Sequence, residues 1–211
     1  LWDAETNVVC HVVAFQIRIL AGMCNEPPDK LGLAGLIEET LDKGTERRTG
    51  RELSDAFDAI GASTRGGTGR ETTTFTCTVL PEHFEAAIAL HAEFLRQPTF
   101  PKDAVQVAVE LTKQDLASLE DDAQGLTDKL LCHRAYGPVL GRHELGEPEC
   151  LARIRREDLV RHWRSNFHAG AMIVSVAGAV EPAVAAHSLE KHFAGFGSSA
   201  RSGRESHSLE F

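Results

Sequence analysis

Residues 32–45 read GLAGLIEETLDKGT. Leu33, Leu36, Ile37 and Leu41 fall at i, i+3, i+4 and i+8, a single apolar stripe at helical spacing. Gly44 stands where a helix ends. Glu38, Glu39 and Asp42 lie off the stripe, and Glu38 and Asp42 are one turn apart on one face. Carboxylates this close admit a metal site, an acid–base site or a solvated helix face. A hard cation needs about six oxygens, and nothing nearby supplies the rest. From the residues alone, a solvated face is the better reading.

Outward from this helix the chain alternates between two periods. Upstream, residues 12–20 (VVAFQIRIL) separate Phe15, Ile17 and Ile19 by polar residues, which predicts a strand. The turn AGMCNEPPDK follows, and the helix is predicted to open near Asp29. Downstream, a second helix is expected over residues 49–60, burying Leu53, Phe57 and Ile60. Residues 62–80 (ASTRGGTGRETTTFTCTVL) read as two strands around a glycine-rich turn. The second strand sets Phe75, Cys77 and Val79 against Thr74, Thr76 and Thr78, the mark of an antiparallel sheet with one buried face. Long helices are predicted from Pro81, from Lys102 to Glu120 and from Ala123 to Tyr136. After the loop GPVLGRHELGEPE come a helix RREDLVRHWRSNF, a strand AMIVSVAG and a helix EPAVAAHSLEKHF. The fold class is therefore α+β, helices packed on a largely antiparallel sheet. One domain is expected over residues 1–196, with 197–211 a Ser/Gly/Arg-rich linker or tag-like tail.

The chain has 211 residues, 42% hydrophobic and 25% charged, an ordinary composition for a soluble globular domain. Its net charge of −9 argues against a nucleic-acid or anionic-membrane surface. Five cysteines without a C-x-x-C pair argue against a disulfide framework or a cysteine-built zinc site. No apolar run approaches the ~18 residues that span a bilayer. The first residues, LWDAETNVVCHVV, carry no basic segment and do not read as a signal peptide. They also lack an initiator Met, so a removed targeting segment stays open. The compartment is open too, cytoplasmic or periplasmic if the chain is bacterial.

Other candidate sites are weaker. His187 and His192 are five apart and diverge around a helix. His91 sits on an apolar helix face and reads as a core histidine. Gly66, Gly67 and Gly69 lack the phosphate-loop pattern and read as a hairpin turn. No G-x-S-x-G elbow is present.

Together these segments resemble the insulinase/pitrilysin family of metallopeptidases, which includes the mitochondrial processing peptidases. Gly32, Leu33, Ala34, Glu38, Leu41, Lys43, Gly44 and Thr45 match the family block G-L-A-H-F-L-E-H-M-L-F-K-G-T. The likeness continues in order through IGASTRGGTGRETTTFTCTV, LRQPTFP, SLEDDAQGLTDKLLCHRAYG, LGRHELGEPECL and HWRSNFHAGAMIVSVAGAV, over residues 12–196. In the family, H-x-x-E-H sets two histidines and a base around zinc, and a distant acid completes the coordination. Here those positions read Gly35, Glu38 and Glu39, and the distant ligand falls at or near Asp115. The resemblance thus implies a degenerate zinc site with no catalytic residue beyond Glu38, the remnant general base, and no zinc cofactor. It also implies a partner: an active, zinc-bearing homologous half or subunit, the two enclosing a peptide like a clamp. Two alternatives remain: a residual zinc-dependent metalloendopeptidase using Glu38, Glu39 and Asp115, or a purely structural assembly scaffold.

Overall fold

Alternation along the first strand builds the sheet. In the computed structural model, which describes residues 11–197, Val13–Ile19 forms β1, with Val13, Phe15, Ile17 and Ile19 all buried. The readings of the first ten residues, including Cys10, and of the tail from residue 198 lie outside the described residues. Ser63–Thr68 (β2) and Thr73–Val79 (β3) form the hairpin, and Met172–Gly178 (β4) closes the sheet. The order is β2-β3-β1-β4, and every pair is antiparallel. Phe15 stands opposite Cys77 and Val176, and Ile17 opposite Phe75 and Val174. Paired residues point to the same side, so one face is largely apolar across β1, β3 and β4, while β2 continues it with Thr64, Gly66 and Thr68. The other face presents small and polar residues, among them Ala14, Arg18, Thr78, Ser175 and Ala177.

The apolar face is covered by helices. Leu33–Leu41 (α1) buries Leu33, Leu36, Ile37 and Leu41, the stripe read from spacing. Gly50–Ala59 (α2) buries Leu53 and Phe57 and starts in a capping box, the Thr49 hydroxyl accepting from the Glu52 amide. Ile60 falls just past its end and packs only partly buried against the core. Phe84–Arg96 (α3) sets Phe84, Ile88, His91 and Leu95 inward. Lys102–Leu119 (α4) and Ala123–Leu140 (α5) follow, then the short Pro148–Leu151 (α6), Arg156–Asn166 (α7) and Pro182–Phe193 (α8). The Trp163 indole N–H donates to the Leu95 carbonyl at 2.9 Å and ties α7 to α3.

Three boundaries differ from the expected ones. Helix α1 begins at Leu33 rather than near Asp29, because Gly32 takes a left-handed φ of 95° that no helix continues through. Helix α5 is broken at Gly137, whose φ of 74° is not helical, just after the expected end at Tyr136, and a further turn then reaches Leu140. The glycine run is not the hairpin turn. Gly66 and Gly67 lie inside β2, and the turn is Gly69–Thr72, where the Gly69 amide donates to the Thr72 carbonyl at 2.8 Å. Cys77, Cys132 and Cys150 form no disulfide. Among the described residues no helix is long and apolar enough to cross a membrane.

Candidate functional site

Every helix starts with amides that lack intrahelical acceptors, and α1 has no side chain at its cap, because that residue is Gly32. The acceptor comes from six residues upstream. Glu26 Oε1 accepts from the Gly32 amide at 3.1 Å and the Ala34 amide at 2.8 Å. Burial pushes the Glu26 carboxyl up to about 7, against the pull of those two amides and of Arg142. Arg142 fixes the strand of chain that carries Glu26 by donating to the carbonyls of Met23 (2.9 Å) and Glu26 (2.8 Å). The segment after α5 thus lies across the start of α1. At Gly146, where φ is 68°, an added Cβ would stand 2.2 Å from the Leu31 carbonyl oxygen. One turn further along the helix, the Glu144 carbonyl stands 3.1 Å from where a Cβ at Gly35 would be. A side chain at position 35 would press its Cβ on that carbonyl, which would have to give by a few tenths of an ångström.

The second half of α1 is built differently. Glu39 and Asp42 are exposed, and both pair with Lys43, at 3.4 and 2.9 Å. They are the solvated face expected from sequence. Glu38 is not. It is half-buried, its carboxyl lies against the backbone of β2, and a Cβ at Gly66 would stand 1.8 Å from its Oε1. The glycine there leaves room for the carboxyl, which explains a glycine in mid-strand better than turn chemistry does. Among the described residues the Glu38 side chain makes no hydrogen bond or ion pair. Burial, then the charges of Glu39 and Asp42, push it up to about 7, with Lys43 opposing and Glu144 adding to the rise. A half-buried carboxyl without a partner costs stability.

The residues at the metal positions do not fit zinc. Gly35 offers no donor, Glu39 is paired with Lys43 at the surface, and Asp115 is exposed on α4. Among the described residues no three His, Cys, Asp or Glu side chains are placed to hold a metal ion. His91 is the core histidine expected from its helix face, 1% exposed, its Nδ1–H donating to the Ala87 carbonyl at 2.8 Å. Burial holds its pKa down at about 4, so the ring is neutral near pH 7. What spacing did not reveal is that His91 shares a cavity with Glu38. Glu26 was missed as well. Its signal was indirect: a helix opening on glycine needs an acceptor from elsewhere.

The model of the insulinase family (peptidase family M16) matches residues 4–146. The chain belongs to that family. Relatives within it include an uncharacterized zinc protease, YmxG, of Bacillus subtilis, 27% identical over 82% of this chain and 43% of its own length. A probable mitochondrial-processing peptidase subunit beta of Arabidopsis thaliana is 27% identical over 90% of this chain and 36% of its own. The chain therefore spans less than half of these relatives. Among solved structures, a protease from Helicobacter pylori superposes with a TM-score of 0.86 at 16% identity, over 96% of this chain and 50% of that one. A peptidase M16 inactive domain from Pseudomonas fluorescens gives 0.81 at 19% identity, over 88% and 45%. The first half of the periplasmic protease PqqL from Escherichia coli gives 0.84 at 16%, over 95% and 44%. These likenesses establish an M16 α+β domain.

Proposed function

We propose that this chain is a non-catalytic M16 domain that pairs with a zinc-bearing homologous half or subunit, the two forming a clamp around a peptide. The observation that carries the reading is at position 35: a glycine where the family's first zinc-binding histidine stands, with the Glu144 carbonyl against it. Two remaining anionic positions without an imidazole bind Zn²⁺ too weakly to acidify a water. On this reading the chain works without zinc of its own, Glu38 has no metal-bound water to deprotonate, and the partner carries the chemistry. The relatives above are more than twice as long as the segment they share with this chain.

The peptide-handling surface is β2. It sits at the sheet edge, pairs only with β3 among the described residues, and is exposed over Ser63–Gly67. Its outward N–H and C=O groups can extend the sheet onto a peptide in strand conformation, which reads main chain rather than sequence. The polar open face of the sheet then serves as chamber wall.

Reconstitution tests the pairing. The chain is mixed with an M16 protein from the same genome that carries an intact H-x-x-E-H helix, and complex formation and peptide cleavage are followed. A stable complex, with cleavage that needs both members, is expected. A partner fully active alone and indifferent to this chain would sink the proposal. Stoichiometric zinc in the purified chain, lost on Glu39→Ala, would favour a residual metallopeptidase instead.

A further inference from the structure

Between α1, α2, α3 and the β2–β3 hairpin lies a cavity of about 140 Å³, room for one side chain. Phe57 and Phe75 supply apolar wall, and the polar lining is lopsided. Glu38, Asp42 and Asp58 are carboxylates, and the one cation is Arg65, exposed on the edge strand and paired with none of them among the described residues. Asp42 already holds Lys43 at 2.9 Å, so the uncommitted acids are Glu38 and Asp58. His91 completes the set. It is 1% exposed, its Nδ1 is spent on the Ala87 carbonyl, and its Nε2 has no partner among the described residues. In the neutral ring Nε2 is an acceptor only.

The cavity therefore offers acceptors and negative charge behind an aromatic wall. A metal ion does not match it, because no three of these donors converge tightly enough. An anion is repelled. A neutral apolar side chain would fill the volume but strand the His91 and Glu38 acceptors. A positive head with several N–H donors on an aliphatic stem meets both demands, the stem against the phenylalanines and the head among the acceptors. We propose that this cavity receives one lysine or arginine side chain of a bound polypeptide. The proposal rests on the peptide-binding reading above and names the residue class it selects. The cavity reaches the edge strand, since Thr64, Arg65 and Gly66 line it and Glu38 lies against Gly66.

The test uses two fluorescent peptides of extended conformation, identical except for a central lysine or norleucine. Their affinities for the 211-residue chain are measured by anisotropy, and the ¹⁵N shift of His91 Nε2 is followed during each titration. The lysine peptide is expected to bind about tenfold more tightly, the scale of one charged hydrogen bond. That advantage should fall to about twofold or less in the Glu38→Gln/Asp58→Asn double variant, and only the lysine peptide should move the His91 resonance. Equal affinity of both peptides for wild type overturns the cavity assignment and leaves the peptide-binding reading intact. Binding of neither peptide overturns both. An advantage that survives in the double variant, or a His91 signal that ignores lysine, places the cation elsewhere. The His91 readout on wild type decides the matter even if the double variant does not fold.

Discussion

A glutamate stands at each end of helix α1, buried Glu26 from the preceding loop and half-buried Glu38 from the helix itself, and both are pushed up to about 7 mainly by burial. Glu26, folded back over the N-terminal end, satisfies two amides that the helix cannot satisfy itself. Glu38, near the C-terminal end, satisfies nothing among the described residues and rests on a glycine that leaves it space. The same perturbation thus has two meanings. At the closed end it is the cost of a cap, and at the open end it belongs to a group that makes no hydrogen bond among the described residues. A raised carboxyl alone does not identify a site; the hydrogen-bond inventory around it does.

Four experiments can break or sharpen that contrast. The largest effect belongs to the cap. Glu26→Ala leaves two buried amides without an acceptor and is expected to cost about 3 kcal/mol in urea unfolding. Glu38→Gln removes repulsion and desolvation without stranding a partner. It should leave stability at pH 8 within about 1 kcal/mol of wild type, on the stable side. Equal losses at both positions would abolish the distinction.

Position 35 comes next. Gly35→His drives an imidazole toward the Glu144 carbonyl, and overpacking of this kind costs about 2 kcal/mol. The Gly35→His/Glu39→His variant should therefore unfold more readily than wild type and fail to retain stoichiometric zinc after dialysis. Full-occupancy zinc in a stable protein would show that the loop over α1 yields easily.

The pH profile bears on both ends. Both carboxyls titrate higher in the folded chain than the ordinary 4.5, so the folded state holds protons that the unfolded state has released. Their contribution is present in full below about 4.5 and is lost as pH rises through about 7. Unfolding free energy should fall across that window. Glu26→Gln and Glu38→Gln should each flatten a comparable part of the fall, because both carboxyls are pushed up to about 7. A profile unchanged by either variant would refute the assignment.

The smallest effect is expected at Gly66. An added methyl there meets the mobile tip of Glu38 rather than backbone, so Gly66→Ala should change stability by under about 1 kcal/mol. It should instead push the carboxyl into solvent and bring its titration, followed by carbon NMR, back toward that of an ordinary glutamate. An unmoved Glu38 would mean that β2 gives way instead.

Much of the fold was legible from patterning. The stripe of Leu33, Leu36, Ile37 and Leu41 is the buried face of α1, and the alternation of Phe75, Cys77 and Val79 is the buried face of β3. These readings succeed because apolar periodicity and burial have one cause, the transfer of one face from water. The ends were less legible. Gly32 and Gly137 interrupt helices through backbone angles that depend on what the following chain must do. Gly66 looked like a turn residue because glycine has several reasons to occur, and the Glu38 tip that explains it lies on another element. Within the site, residue types at 35, 38, 39 and 115 were readable by resemblance, while the loop over Gly35 and the partnerless state of Glu38 were not.

By itself, then, the sequence determined the α+β architecture, the family pattern and the absence of imidazoles at positions 35 and 39. Those follow from local period and residue identity. Only the tertiary structure decided that Glu26 caps α1, that the Glu144 carbonyl lies against Gly35, and that Glu38 shares a cavity with His91. Each of these joins residues from different elements, at separations of 8 to 109 positions where no short-range pattern constrains them. Which of two similar carboxyls accepts backbone amides is settled by where the chain returns.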